Sequence, residues 1–199
     1  MAFYTRSEIQ QLGLRAASGK NKTASALLKE EIITYDSDYA KYDVFLSHSI
    51  RDAGLILGIK SLLTSQGLKV YVDWIEDPSL DRSVVTAKTA ETLRKRMRQS
   101  KSMVYAHSNN SPLSKWMPWE VGFFDGFNGN IVIFPIVDSE NETFKGQEFL
   151  GLYPYIDKSG SAIWVNKGNA PMSSIGQTAS NDEFKRLKDW MREKAGVSF

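Results

Sequence analysis

Apolar residues in this chain gather in short continuous runs that alternate with stretches of helical spacing, and the alternation outlines the architecture. "YDVFLSH" (42–48) is one run; Arg51 to Gln66 follows, with Leu55, Ile56, Ile59, Leu62 and Leu63 at helical spacing and a stop at Gly67. A second unit comprises "KVYVDWI" (69–75), the polar loop "EDPSLDRS" (76–83) and a helix from about Val84 to Ser100. The third strand, "SMVYAH" (102–107), leads through "SNNSPLS" into a tryptophan-rich helix that Gly126 and Gly129 help to end. Then come "IVIFPIV" (131–137), an irregular Gly- and Tyr-rich segment (146–160) and "AIWV" (162–165). A closing helix has Asn181 as N-cap, Asp182 and Glu183 in its first turn, Phe184, Leu187 and Met191 on one face, and Gly196 as its stop.

Continuous apolar strands alternating with helices predict a parallel sheet covered on both faces. Right-handed crossovers favour a doubly wound α/β sheet of five strands in the order 2-1-3-4-5, with a ligand crevice where the winding reverses between strands 1 and 3. The strand ends at that crevice are Ser47-His48-Ser49 and His107-Ser108-Asn109. The first 40 residues carry no strand signal. "TRSEIQQLGLRAA" and "TASALLKEEIITY" have helix-forming composition, so residues 1–40 are expected to form a helical extension, with a structural or assembly role, on a domain spanning 41–199.

Composition narrows the function. A chain of 199 residues fits one domain with an appendage, and a net charge of +2 gives no global reason to expect nucleic acid or membrane as partner. Cysteine is absent, which excludes disulfides and thiol chemistry. No stretch resembles a signal peptide or a spanning helix, so a cytoplasmic protein is expected.

The segment "SKWMPWEVG" (114–122) crowds two tryptophans around one acid. In a helix, residues four apart share a face, which places Trp116 and Glu120 one above the other. Taken alone, this is a core Trp beside a solvated Glu at a helix N-terminus, where the macrodipole favours negative charge. Topology shifts the balance, because the helix starts just after the crevice end of strand 3, and the chain's two histidines, His48 and His107, fall at the two crevice strand ends. Glu120 is therefore read as an acid delivered to a cleft.

Other chemistries fit less well. Ser47, His48 and Ser108 suggest a serine hydrolase, but there is no G-x-S-x-G elbow, and neighbouring strand residues point to opposite faces. The two histidines lack metal-ligand spacing, and no metal is expected. No phosphate-binding glycine loop follows strand 1. The cationic run Arg94, Lys95, Arg96, Arg98 and Lys101 reads as a solvated helix face. Cleavage of an N-glycosidic bond to a cationic leaving group suits a single acid beside an aromatic wall: nicotinamide departs from NAD neutral, a carboxylate stabilises the oxocarbenium ion, and a flat ring stacks on the base.

"YDVFLSHSIRDA" resembles the first conserved box of Toll/interleukin-1 receptor (TIR) domains, and "WMPWE" resembles the W-x-x-x-E signature of the members that cleave NAD. The resemblance spans about residues 41 to 196. It implies a flavodoxin-like fold, Glu120 as the catalytic glutamate, and a substrate pocket formed with Ser47, His48, Arg51, Asp52, Trp74 and Trp116. NAD would be a substrate, with no cofactor. Glu76 to Ser83, carrying Pro78, matches the BB loop through which such domains self-associate. Stand-alone bacterial relatives in anti-phage systems such as Thoeris make cyclic or modified ADP-ribose signals for a separate effector protein. Met117-Pro118-Trp119 is an unusual interior for the signature. Two other readings are a TIR adaptor acting by self-association and a nucleoside deoxyribosyltransferase-like enzyme.

Overall fold

The computed structural model describes residues 2–18, 39–77, 86–139, 142, 148–160, 162–166 and 184–195, with Trp74, Glu76, Lys194 and Ala195 described in backbone only. Its strands are β1 (Tyr4–Thr5), β2 (Tyr42–Ser47), β3 (Val70–Tyr71), β4 (Ser100–His107), β5 (Ile131–Val137), β6 (Tyr155–Ser159), β7 (Ala162–Asn166) and β8 (Phe184–Arg186). Its α-helices are α1 (Arg6–Ser18), α2 (Ala53–Ser65), α3 (Asp73–Glu76), α4 (Ala87–Arg98), α5 (Met117–Phe127) and α6 (Leu187–Ala195).

The sheet order is β3-β2-β4-β5-β6-β7-β8, with β1 paired to β5. Pairing is parallel from β3 through β6, and β7 pairs antiparallel with β6 on one side and with β8 on the other. The first four predicted strands thus occupy the predicted order, and the winding reverses between β2 and β4. Alternation along the strands sorts two cores. Val44, Leu46, Val104, Val132 and Phe134 pack with Ile9 of α1, Ile56 and Ile59 of α2 and Trp190 of α6. Phe45, Met103, Tyr105 and Ile133 pack with Leu93 and Met97 of α4 and Met117, Val121 and Phe124 of α5.

Several elements differ from expectation. The strand beside β5 is β6, inside the segment read as irregular: Asp157 and Lys158 interrupt its apolar run, so it lacks the signature of a buried strand. "AIWV" returns antiparallel as β7 after Gly160, whose φ of +59° suits glycine. β3 is shorter than 69–75, because the chain turns into α3 at Asp73. Phe184–Arg186 pair with β7 as β8 before the closing helix starts, edge pairing having overridden helical spacing there.

Tyr4 and Thr5 form a strand where none was expected, in register with Ile136 and Val137, and Ala2 exchanges backbone hydrogen bonds with Lys158. The Tyr4 ring stacks on Phe134 at 5.0 Å. Helix α1 lies directly on α2, and glycine permits the approach: a Cβ on Gly58 would fall 2.0 Å from the Ile9 carbonyl oxygen. Residues 2–18 are thus built into the core. "TASALLKEEIITY", the loop beyond Asp77 and the cap at Asn181 lie outside the described residues.

Gly58→Ala should therefore cost about 2–3 kcal/mol of stability, the upper part of the range for overpacking. Gly54→Ala, one turn earlier with nothing within 4 Å of its added Cβ, should be neutral or slightly stabilising. Thermal unfolding of the two variants measures the difference, and equal midpoints would refute the close approach of α1.

Candidate active site

β2 ends at Ser47, whose side chain faces the α4/α5 side of the sheet. Helix α5 begins beyond the β4 end, with Pro118 in its first turn, where a missing N–H costs nothing. The Glu120 amide donates to the Trp116 carbonyl at 2.8 Å, confirming the one-turn spacing of the signature. This turn carries the Glu120 side chain back over the sheet. Ser47 Oγ donates to Glu120 Oε2 at 2.6 Å, and both residues are 0% exposed. A carboxylate so enclosed is costly unless hydrogen bonds and dipoles compensate. The Ser47 hydroxyl and the α5 N-terminus both favour its charge.

Tyr105 on β4 is the register partner of Ser47 and shares its face. Burial and the nearby Glu120 charge both push its phenol pKa up. Two residues on, His107 is half-buried, its ring nearly parallel to that of Tyr105 at 6.3 Å. Burial holds its imidazole down at about 4, so it is neutral near pH 7.

The remaining expected residues are dispersed. His48 faces away from Ser47, as strand alternation requires. Its Nδ1 is 2.8 Å from the Leu46 carbonyl and its Nε2 is 3.5 Å from Asp73 Oδ1, which places it between β2 and α3. Asp52 is buried and accepts from Ser108 Oγ at 2.5 Å and from Asn110 Nδ2 at 2.7 Å. It clamps the loop after β2 to the loop after β4. Arg51 is exposed. Trp116 is 6% exposed and meets Trp119 edge to face at 5.4 Å, within the core of the α5 face. The Trp74 side chain lies outside the described residues.

The cationic run is engaged rather than simply solvated. Arg96 is buried and grips Asp77 through Nε at 2.7 Å and Nη2 at 2.6 Å, and Tyr71 OH donates to the same carboxylate at 2.8 Å. This anchors Asp77 at the start of the 76–83 loop. Arg94 lies over the Trp119 ring and Arg98 over Phe123, each at 5.2 Å, and Lys101 pairs with Asp43 at 2.8 Å. Among the described residues no His, Asp and Glu cluster could hold a metal ion, and no helix is long and apolar enough to cross a membrane.

Sequence reasoning missed Tyr105, Asp73 and Asn110. Only Tyr105 left a signal, a phenol within the apolar run of β4. The Asp52 clamp yields a direct prediction. Asp52→Ala leaves the Ser108 and Asn110 donors unmatched and should cost about 2–3 kcal/mol, whereas Arg51→Ala should change stability by less than about 0.5 kcal/mol. Chemical denaturation measures both, and a harmless Asp52→Ala would refute the clamp.

No family model matches the chain. It is 42% identical over 175 residues to the "Probable 3' cyclic ADP-D-ribose synthase ThsB'" of Bacillus cereus (strain MSX-D12), covering 87% of each chain. Over 83 residues it is 36% identical to the "Putative cyclic ADP-D-ribose synthase TIR2" of Cytobacillus dafuensis, covering 41% of this chain and 22% of that protein. The first match extends across nearly the whole length of both proteins, far beyond the short boxes around Ser47 and Glu120, and the chain belongs to the family of stand-alone bacterial TIR proteins.

Proposed function

We propose that this protein cleaves the nicotinamide–ribose bond of NAD and turns the ADP-ribosyl part into ADP-ribose or a cyclic or modified ADP-ribose signal, in bacterial anti-phage defence. The observation that carries this reading is the Glu120 carboxylate, enclosed beside the end of β2 and held by Ser47 at 2.6 Å. The names of the two relatives, both cyclic ADP-D-ribose synthases, support the same chemistry.

In this mechanism nicotinamide leaves with the electron pair of the broken C–N bond and is neutral. The anomeric carbon becomes an oxocarbenium ion, and Glu120 stabilises its charge in a site where little water screens the interaction. Water, or a nucleophile within the same molecule, then forms the new bond to that carbon and loses its proton. Capture by water gives the linear product and internal capture a cyclic one.

Glu120 is fully enclosed in this conformation, so its neighbours must shift to admit a substrate. We connect that opening with self-association through Glu76 to Ser83, whose first residues are fixed by the Arg96–Asp77 pair. In this reading the protein is cytoplasmic and its product acts on a separate effector protein.

Glu120→Gln keeps the shape and removes the charge. It should lower nicotinamide release from NAD by at least about two orders of magnitude, as for other single electrostatic groups, without lowering the unfolding midpoint by more than a few degrees. The same assay across a dilution series should show activity per chain rising with concentration. Undiminished turnover by the variant would remove Glu120 from the chemistry, and activity per chain that stays constant in a monomer would remove assembly.

A further inference from the structure

Tyr105 lies at the centre of the sheet, in register with Ser47 of β2 on one side and Ile133 of β5 on the other. Its side chain is fully buried on the face from which Ser47 reaches Glu120. Its hydroxyl has no hydrogen-bond partner among the described residues. A buried, unmatched hydroxyl costs stability, and phenylalanine would fill the same volume without that cost. Packing thus accounts for the ring and leaves the oxygen unexplained.

A ribose hydroxyl both donates and accepts. At this site Glu120 is an acceptor, and the Ser47 proton is already committed to it. The sugar oxygen then needs a donor of its own. We propose that the Tyr105 phenol is that donor, hydrogen-bonding the nicotinamide-ribose hydroxyl whose proton Glu120 accepts, and so acts as a further catalytic residue of the site. The phenol keeps its proton throughout, consistent with the upward push on its pKa from burial and Glu120. The inference rests on the reading of Glu120 as the acid of an NAD-cleaving site.

The test compares wild-type protein and Tyr105→Phe on NAD and on NAD analogues lacking the 2′ or the 3′ hydroxyl of the nicotinamide ribose. The variant should lose about tenfold or more in kcat/KM on NAD, while its unfolding midpoint stays the same or rises. Removal of the contacted sugar hydroxyl should then cost the variant a smaller factor than it costs the wild type, because one of the two contacts is already gone. The proposal fails if kcat/KM stays within about twofold of wild type. It also fails if the two losses simply multiply for both analogues, or if the midpoint falls by several degrees, which would mean that the hydroxyl serves the fold. Wild-type protein that releases no nicotinamide would instead overturn the enzymatic reading and this role with it, a pattern distinct from an active wild type with an equally active variant.

Discussion

The hydrogen bond from Ser47 to Glu120 joins the end of the first sheet strand of the winding to the first turn of a helix 73 residues later, and it is wholly buried. Enclosing a carboxylate is among the more costly things a fold can do. Three conditions must hold together for this one to survive. β2 must end at the reversal of the sheet so that Ser47 faces α5. Helix α5 must start near the β4 end so that its first turn carries Glu120 to Ser47. β2 and β4 must also stay in register, which sets Ser47 beside Tyr105. The candidate chemistry is the local expression of these constraints.

The other polar contacts maintain that geometry. Asp52 holds the loops after β2 and β4 together through Ser108 and Asn110. Behind the sheet, His48 and Asp73 occupy the opposite side of the strand end. Arg96 fixes Asp77 at the end of α3. On α5, Trp116, Trp119 and Phe123 form a continuous aromatic row, covered from α4 by Arg94 and Arg98. The aromatic bulk around Glu120 thus secures the helix that carries it. In this conformation the Trp116 indole is a packing element.

Much of this was legible in the chain. β2, β4 and β5 announce themselves as unbroken apolar runs, and α2 as a periodic apolar face, so the reversal and its two strand ends could be located. Glu120 followed from that topology and the one-turn spacing to Trp116. β6 was hidden because Asp157 and Lys158 break its pattern, although antiparallel pairing with β7 supplies its hydrogen bonds. β1 was hidden because two residues carry no periodicity, and it exists only through its pairing with β5. Within the site, loop partners such as Asp52 and Asn110 meet 58 positions apart, which spacing cannot reveal. The Tyr105 ring could be read as core, but its unmatched hydroxyl emerges only from the packed fold.

On the proposed function, Ser47 and Glu120 act as one unit in breaking the nicotinamide–ribose bond. A double-mutant cycle of Ser47→Ala and Glu120→Gln, read by nicotinamide release from NAD, tests it most directly. If the hydroxyl works by holding the carboxylate, Ser47→Ala should lower the rate markedly in the presence of Glu120 and add little once the carboxylate is gone. Two losses that multiply independently would contradict the account, showing that Ser47 and Glu120 serve the reaction separately or that the bond between them is incidental.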